Sequence, residues 1–109
     1  MLLVLDVALS AVRALRPVVA DVARHDRSLA DQMRRAASSI VLNVAEGARS
    51  QGGLERSRFF TAAGSASETR AALALAVAWG YVTSERTAEA EALLDRTAAM
   101  LHGLVHRRR

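Results

Sequence analysis

The sequence predicts an all-α protein: a single up-down-up-down antiparallel four-helix bundle over residues 1–109. Three observations predict it. Apolar residues recur in steps of three and four along four stretches, the spacing that lines one face of a helix. Short polar or glycine-bearing turns separate those stretches, which makes neighbouring helices antiparallel. The chain has one proline, no alternating strand-like runs and 109 residues, a length that suits one core. Hydrophobic residues make up 51% of the chain but aromatics only 4%, so the interior must be Leu, Val and Ala. Alanine-rich helices pack at short interaxial distances.

The first helix is predicted from about Leu3 to Arg24. Its stripe is Leu5, Ala8, Leu9, Val12, Leu15, Val19 and Val22. Pro17 lies inside it and predicts a kink, because proline removes a backbone donor and crowds the preceding turn. His25 to Arg27 read as a turn. Ser28 then reads as an N-cap with Asp31 three residues on, a variant of the capping box. The second helix follows from Leu29 to about Glu46, with Leu29, Met33, Ala36, Ile40 and Val44 inward. Gly47 reads as its C′ glycine. The third helix spans about Leu54 to Trp79. Its second half is apolar nearly all round, which predicts burial on more than one side and hence a homo-oligomer. Gly80 ends it. Thr83 or Ser84 caps the fourth helix, whose inner stripe runs from Ala90 through Leu94 and Leu101 to Val105.

The chain has no cysteine, which excludes disulfides and thiolate metal sites. No apolar run is long enough to span a membrane, and Met1 to Leu5 lacks the basic flank of a signal peptide, so the expected location is the cytoplasm. None of His25, His102 and His106 has a Glu three residues before it, so the di-iron pattern is missing. The His102–His106 pair has no third ligand beside it. GARSQGG lacks the ending of a phosphate loop. No catalytic residue, metal site or cofactor is predicted.

Net charge is +4, and all 15 basic residues are arginine. Arg107, Arg108 and Arg109 supply three of those four excess charges. With Arg34, Arg49 and Arg56 they are the candidate phosphate contacts, since arginine suits phosphate geometry. The four aromatic residues, Phe59, Phe60, Trp79 and Tyr81, are expected to be mostly buried, which leaves little for stacking bases.

Two polar rows flank the glycine-rich turn. Gln32, Arg35, Ser39, Asn43 and Glu46 form one, and Arg58, Thr61, Ser65 and Glu68 the other, each in steps of three and four. Ser, Thr and Asn are poor residues for mid-helix positions because they compete for backbone hydrogen bonds. Their persistence predicts small polar groups where helices approach closely. The preferred reading is a structural polar network of Gln32, Arg35, Ser39, Asn43, Glu46, Arg58, Ser65 and Glu68 that fixes helix register. The rival reading is a ligand site.

These residues also carry a family likeness. QMRRAASSIVLNVAEG followed by RFFTAAGSASE resembles the 23S rRNA intervening-sequence proteins. It is also similar to the accessory variability determinants of diversity-generating retroelements. Val41 stands where many relatives have proline, and Pro17 is a further departure. The resemblance implies a non-enzymatic pentameric ring that binds RNA or DNA, or a nucleoprotein partner such as a reverse transcriptase. A protein–protein scaffold with no nucleic-acid role is the alternative.

Overall fold

A computed structural model describes residues 3–107 as four helices, α1 Leu3–Ala23, α2 Arg27–Ala48, α3 Gly52–Ala78 and α4 Ser84–His106. Each packs against its neighbour in the chain, and α1 closes the ring on α4. The molecule measures 45 × 22 × 21 Å, and the 27 residues of α3 account for most of its length. Short turns and this neighbour pattern make an up-down-up-down bundle with two ends. One end carries the α2–α3 turn and the last turn of α4. The other carries the α1–α2 and α3–α4 turns.

The core is aliphatic, as the composition requires. Leu15, Met33, Ile40, Leu73, Leu94 and Leu101 are fully buried, with Phe59 the one aromatic ring among them. Burying each such side chain contributes about 1.5–3 kcal/mol. Alanines at 8, 11, 30, 37, 62, 66, 76 and 90 fill the space between these residues, which lets the helices sit close.

Helix ends show where local chemistry won. α2 begins earlier than the sequence predicts, and its N-cap is Asp26 rather than Ser28. The Asp26 carboxylate accepts from the Leu29 N–H at 2.9 Å. A carboxylate satisfies the orphan N–H and also favours the positive helix end, which a serine does only in part. Thr83 caps α4 by accepting from the Arg86 N–H. Gly80, at φ 80°, ends α3 as predicted. The Tyr81 N–H reaches the Ala76 carbonyl and the Gly80 N–H reaches Val77, which is a Schellman motif. α1 continues through the exposed Pro17 as one helix.

Gly47 is not a cap. It lies inside α2, which runs on to Ala48 and ends on Arg49. A Cβ at Gly47 would stand 2.5 Å from Cε1 and 2.7 Å from Cδ1 of Phe59. The residue is glycine because α3 presses a buried ring against the α2 backbone.

That contact is testable. Gly47→Ala forces the Phe59 ring to move within a packed core and is expected to lower unfolding free energy by about 1–3 kcal/mol. Gly103→Ala, which meets nothing within 4 Å, is the control. It should be neutral or stabilise by up to about 1 kcal/mol. Chemical denaturation of both variants measures the difference.

Candidate functional site

The two polar rows meet at their centres. The Ser65 hydroxyl donates to Ser39 Oγ at 2.8 Å, across the α2–α3 interface. Asn43 Nδ2 donates to Ser39 Oγ at 3.1 Å and to the Ser39 carbonyl at 2.9 Å. One turn further along α3, buried Thr69 donates to the Ser65 carbonyl at 2.8 Å. Small hydroxyls belong here because the helices approach closely, and none of the buried side-chain N or O atoms among the described residues lacks a partner. Thr69 and the buried Thr97 of α4 satisfy themselves on their own helices, the latter by donating to the Leu93 carbonyl.

The outer members of the rows do not join this cluster. Gln32, Arg35, Glu46, Arg58 and Glu68 are all exposed. Glu46 pairs with Arg49 on its own helix. The Gln32, Arg35, Arg58 and Glu68 side chains make no hydrogen bond or ion pair among the described residues. A step of three turns the row: Glu68 lies about 60° around α3 from Ser65, and Glu46 about 60° around α2 from Asn43. Long side chains that far from the seam reach water. Within one protomer the network is therefore Ser39, Asn43 and Ser65.

Three of the candidate phosphate contacts gather at one end. Arg49 follows α2, Arg56 opens α3, and Arg107 follows α4, so all three stand at the end that bears the α2–α3 turn. Arg56 and nearby Arg58 are exposed and unpaired among the described residues. Arg107 pairs with Glu55, tying the end of α4 to the start of α3. Arg108 and Arg109 lie outside the described residues. Arg34 stands apart, in the third turn of α2 from the opposite end, and pairs with Asp31 at 3.0 Å.

Two exposed features bear on the sequence expectations. The first is the outer face of α3. Ser57, Phe60, Gly64, Ser67, Ala71, Ala74 and Ala78 follow one another in steps of 3, 4, 3, 4, 3 and 4, and all are exposed. This is the spacing of a helix–helix seam. Most of its members are small, with Phe60 at one end and Leu75 beside the other. The expected burial of Ala71 to Trp79 on several sides does not occur within the protomer: Leu73 and Ala76 face the core, whereas Leu75 is 46% exposed.

The second concerns the aromatic residues. Phe59 is buried, but Phe60 is 68% and Trp79 65% exposed, and Tyr81 is half-buried, so the expectation of mostly buried rings is wrong. Tyr81 lies nearly parallel to His25, with ring centroids 5.3 Å apart, and to Trp79 at 6.4 Å. Its hydroxyl donates to Asp26 at 3.2 Å. Desolvation, with the Asp26 carboxylate as hydrogen-bond acceptor and like charge, pushes the Tyr81 phenol above its ordinary range.

The rings of His102 and His106 lie 4.3 Å apart and tilted at 49° on α4, beside Phe60 and Asp95. Among the described residues no group of three or more His, Cys, Asp or Glu could hold a metal. None of the described helices is long and apolar enough to cross a membrane.

The fold class is thus an antiparallel four-helix bundle with a hydroxyl-bonded α2–α3 seam and an outward small-residue face on α3. The chain belongs to the 23S rRNA-intervening sequence protein family, which it matches over residues 4–103. It is similar to a solved protein of unknown function from the S23 ribosomal protein family of Bacteroides thetaiotaomicron. The TM-score is 0.84 at 21% identity, and the match covers 95% of this chain and 99% of that one. No curated protein matches the chain.

Ser39 is the hub of the polar cluster, which sets an order of effects. Ser39→Ala removes the acceptor of both Ser65 and Asn43 and is expected to cost about 1–3 kcal/mol. Glu68→Ala, on an exposed side chain, should change stability by no more than about 0.5 kcal/mol in the isolated protomer. Thermal and denaturant unfolding of the two variants gives the ranking.

Proposed function

We propose that the protein is a non-enzymatic homo-oligomer, a pentamer by its resemblance, that binds the phosphates of RNA or DNA. The observation that carries this reading is the convergence of Arg49, Arg56 and Arg107 at one end of the bundle, where the two tail arginines continue the chain. One protomer has a net charge of only +4, and several of its arginines are already paired. Repeating the arginine end around a ring adds the copies into one positive field, which draws in a polyanion. Contacts of this kind go to the backbone and carry little sequence preference.

The exposed face of α3 supports self-association. Its small residues would allow a second helix to approach closely, and Phe60 and Leu75 are apolar groups that gain from cover. The same face favours the second reading, a protein–protein scaffold. The likeness to the retroelement determinants extends the partner class to a nucleoprotein such as a reverse transcriptase. A cytoplasmic location fits either reading.

Two experiments test the proposal. Light scattering at micromolar concentration should give a multiple of the 11.7 kDa chain mass, and a monomer mass rejects it. Gly64→Leu, at a position with nothing within 4 Å in the protomer, should leave the helical signal intact while breaking the assembly. For nucleic acid, replacing Arg49, Arg56 and Arg107–Arg109 should weaken retention of all sequences alike and flatten its dependence on salt. Binding that survives high salt, or is indifferent to these arginines, favours the scaffold.

A further inference from the structure

The opposite end of the bundle has a different surface. There the α1–α2 and α3–α4 turns lie side by side, and Tyr81 is paired in near-parallel fashion with both His25 and Trp79, at interplanar angles of 5° and 17°. Folding accounts for Tyr81. It follows the Schellman glycine, packs back over the end of α3, and anchors its hydroxyl on the α2 cap, Asp26. Folding does not account for Trp79, the C-cap residue that follows α3, whose side chain is 65% exposed. Beside the rings is a cleft of about 330 Å³ lined by Arg24, His25, Tyr81, Thr83, Arg86 and Asp21. Arg86 is held by Asp21 at 2.8 Å, whereas the side chains of Arg24 and Arg27 are exposed and have no partner among the described residues.

We infer that this end is a stacking platform for the bases of a single-stranded nucleic acid, with Trp79 as the outer ring and Arg24 and Arg27 as phosphate contacts. Open aromatic faces beside unpaired arginines are the chemistry that binds unpaired bases, since every base offers a π-face and the backbone follows the cations. A duplex hides its base faces and cannot use the rings. The inference rests on the proposed nucleic-acid function but adds a site that phosphate binding at the other end does not require. It also separates Trp79 from the self-association face. The seam of α3 ends on Ala78, whereas the Trp79 ring lies against Tyr81, over the bundle end.

Trp79 is the only tryptophan, so its emission reports on this site alone. Two signals should be followed together: anisotropy of a labelled oligothymidylate, which reads binding anywhere on the protein, and Trp79 emission with an unlabelled one. The expected result is binding with strong quenching by the single strand, and binding without quenching by a duplex of equal phosphate content. Trp79→Ala should weaken single-strand binding about 5- to 150-fold, Trp79→Phe should retain most of it, and duplex binding should be unmoved by either. Replacing Arg49 and Arg56 should weaken both ligands while leaving the quenching at saturation in place. Binding with no change in Trp79 emission overturns the platform and leaves the phosphate reading standing. A Trp79 emission that shifts on dilution, together with a Trp79→Ala variant of lower mass, shows instead that the ring belongs to a subunit contact. Quenching by an unrelated peptide but by no nucleic acid assigns the platform to a protein partner. Absence of binding to either nucleic acid ends both readings.

Discussion

The approach of α2 to α3 is the constraint on which the rest of the structure depends. It combines three local conditions: a glycine at position 47 that admits the Phe59 ring, a hydroxyl pair at Ser39 and Ser65, and alanines on either side. Each suits a short interhelical distance and none suits a long one. A larger residue at 47 would displace the ring, and longer polar residues at 39 or 65 would hold the backbones apart. With that distance set, α1 and α4 complete the ring with ordinary aliphatic packing. The turn between the two helices, residues 49–51, is short, and it places Arg49 and Arg56 at the same end as Arg107, which follows α4.

Much of this was legible in the sequence, for physical reasons. The four apolar stripes follow the helical period, and Gly80 and Thr83 use end chemistry that belongs to short-range sequence. The central Ser39–Asn43–Ser65 cluster was also legible, because small hydroxyls and amides in mid-helix need a reason to be there. What was not legible depends on angles that spacing alone leaves open. Steps of three and four group residues on one face but allow that face to span more than 60°, so Gln32, Arg35, Arg58 and Glu68 were placed with neighbours they do not touch. Gly47 sits where a helix-ending glycine would sit, and only the position of Phe59, twelve residues on, reveals that it serves packing. The expectation that most of the rings are buried fails at Phe60 and Trp79, because alanines and aliphatic side chains already fill the narrow interior.

The distribution of charge separates one end from the middle. In the middle, Arg70 bridges from α3 to Glu91 and Asp95 of α4. Such half-exposed pairs contribute little to stability but fix which faces of the helices meet. At the end that bears the α2–α3 turn, Arg49, Arg56, Arg58 and Arg107 outnumber Glu46 and Glu55. That end is therefore a cationic surface, set apart from the small-residue outer face of α3. An interaction along that face and an interaction at that end need not compete.

The core described above contains hydroxyls but no charge, and the six ion pairs between described residues named here or above lie at or near the surface, the more exposed partner of each between 41% and 71% accessible. A protein built in this way has two nearly independent responses to its medium. The interior depends on apolar burial and short neutral hydrogen bonds, which ordinary concentrations of salt barely alter. The exterior depends on arginines whose attraction for polyanions falls steeply as ions are added. On the proposed reading, ionic strength would release a bound polyanion while leaving the bundle and its apolar contacts unchanged.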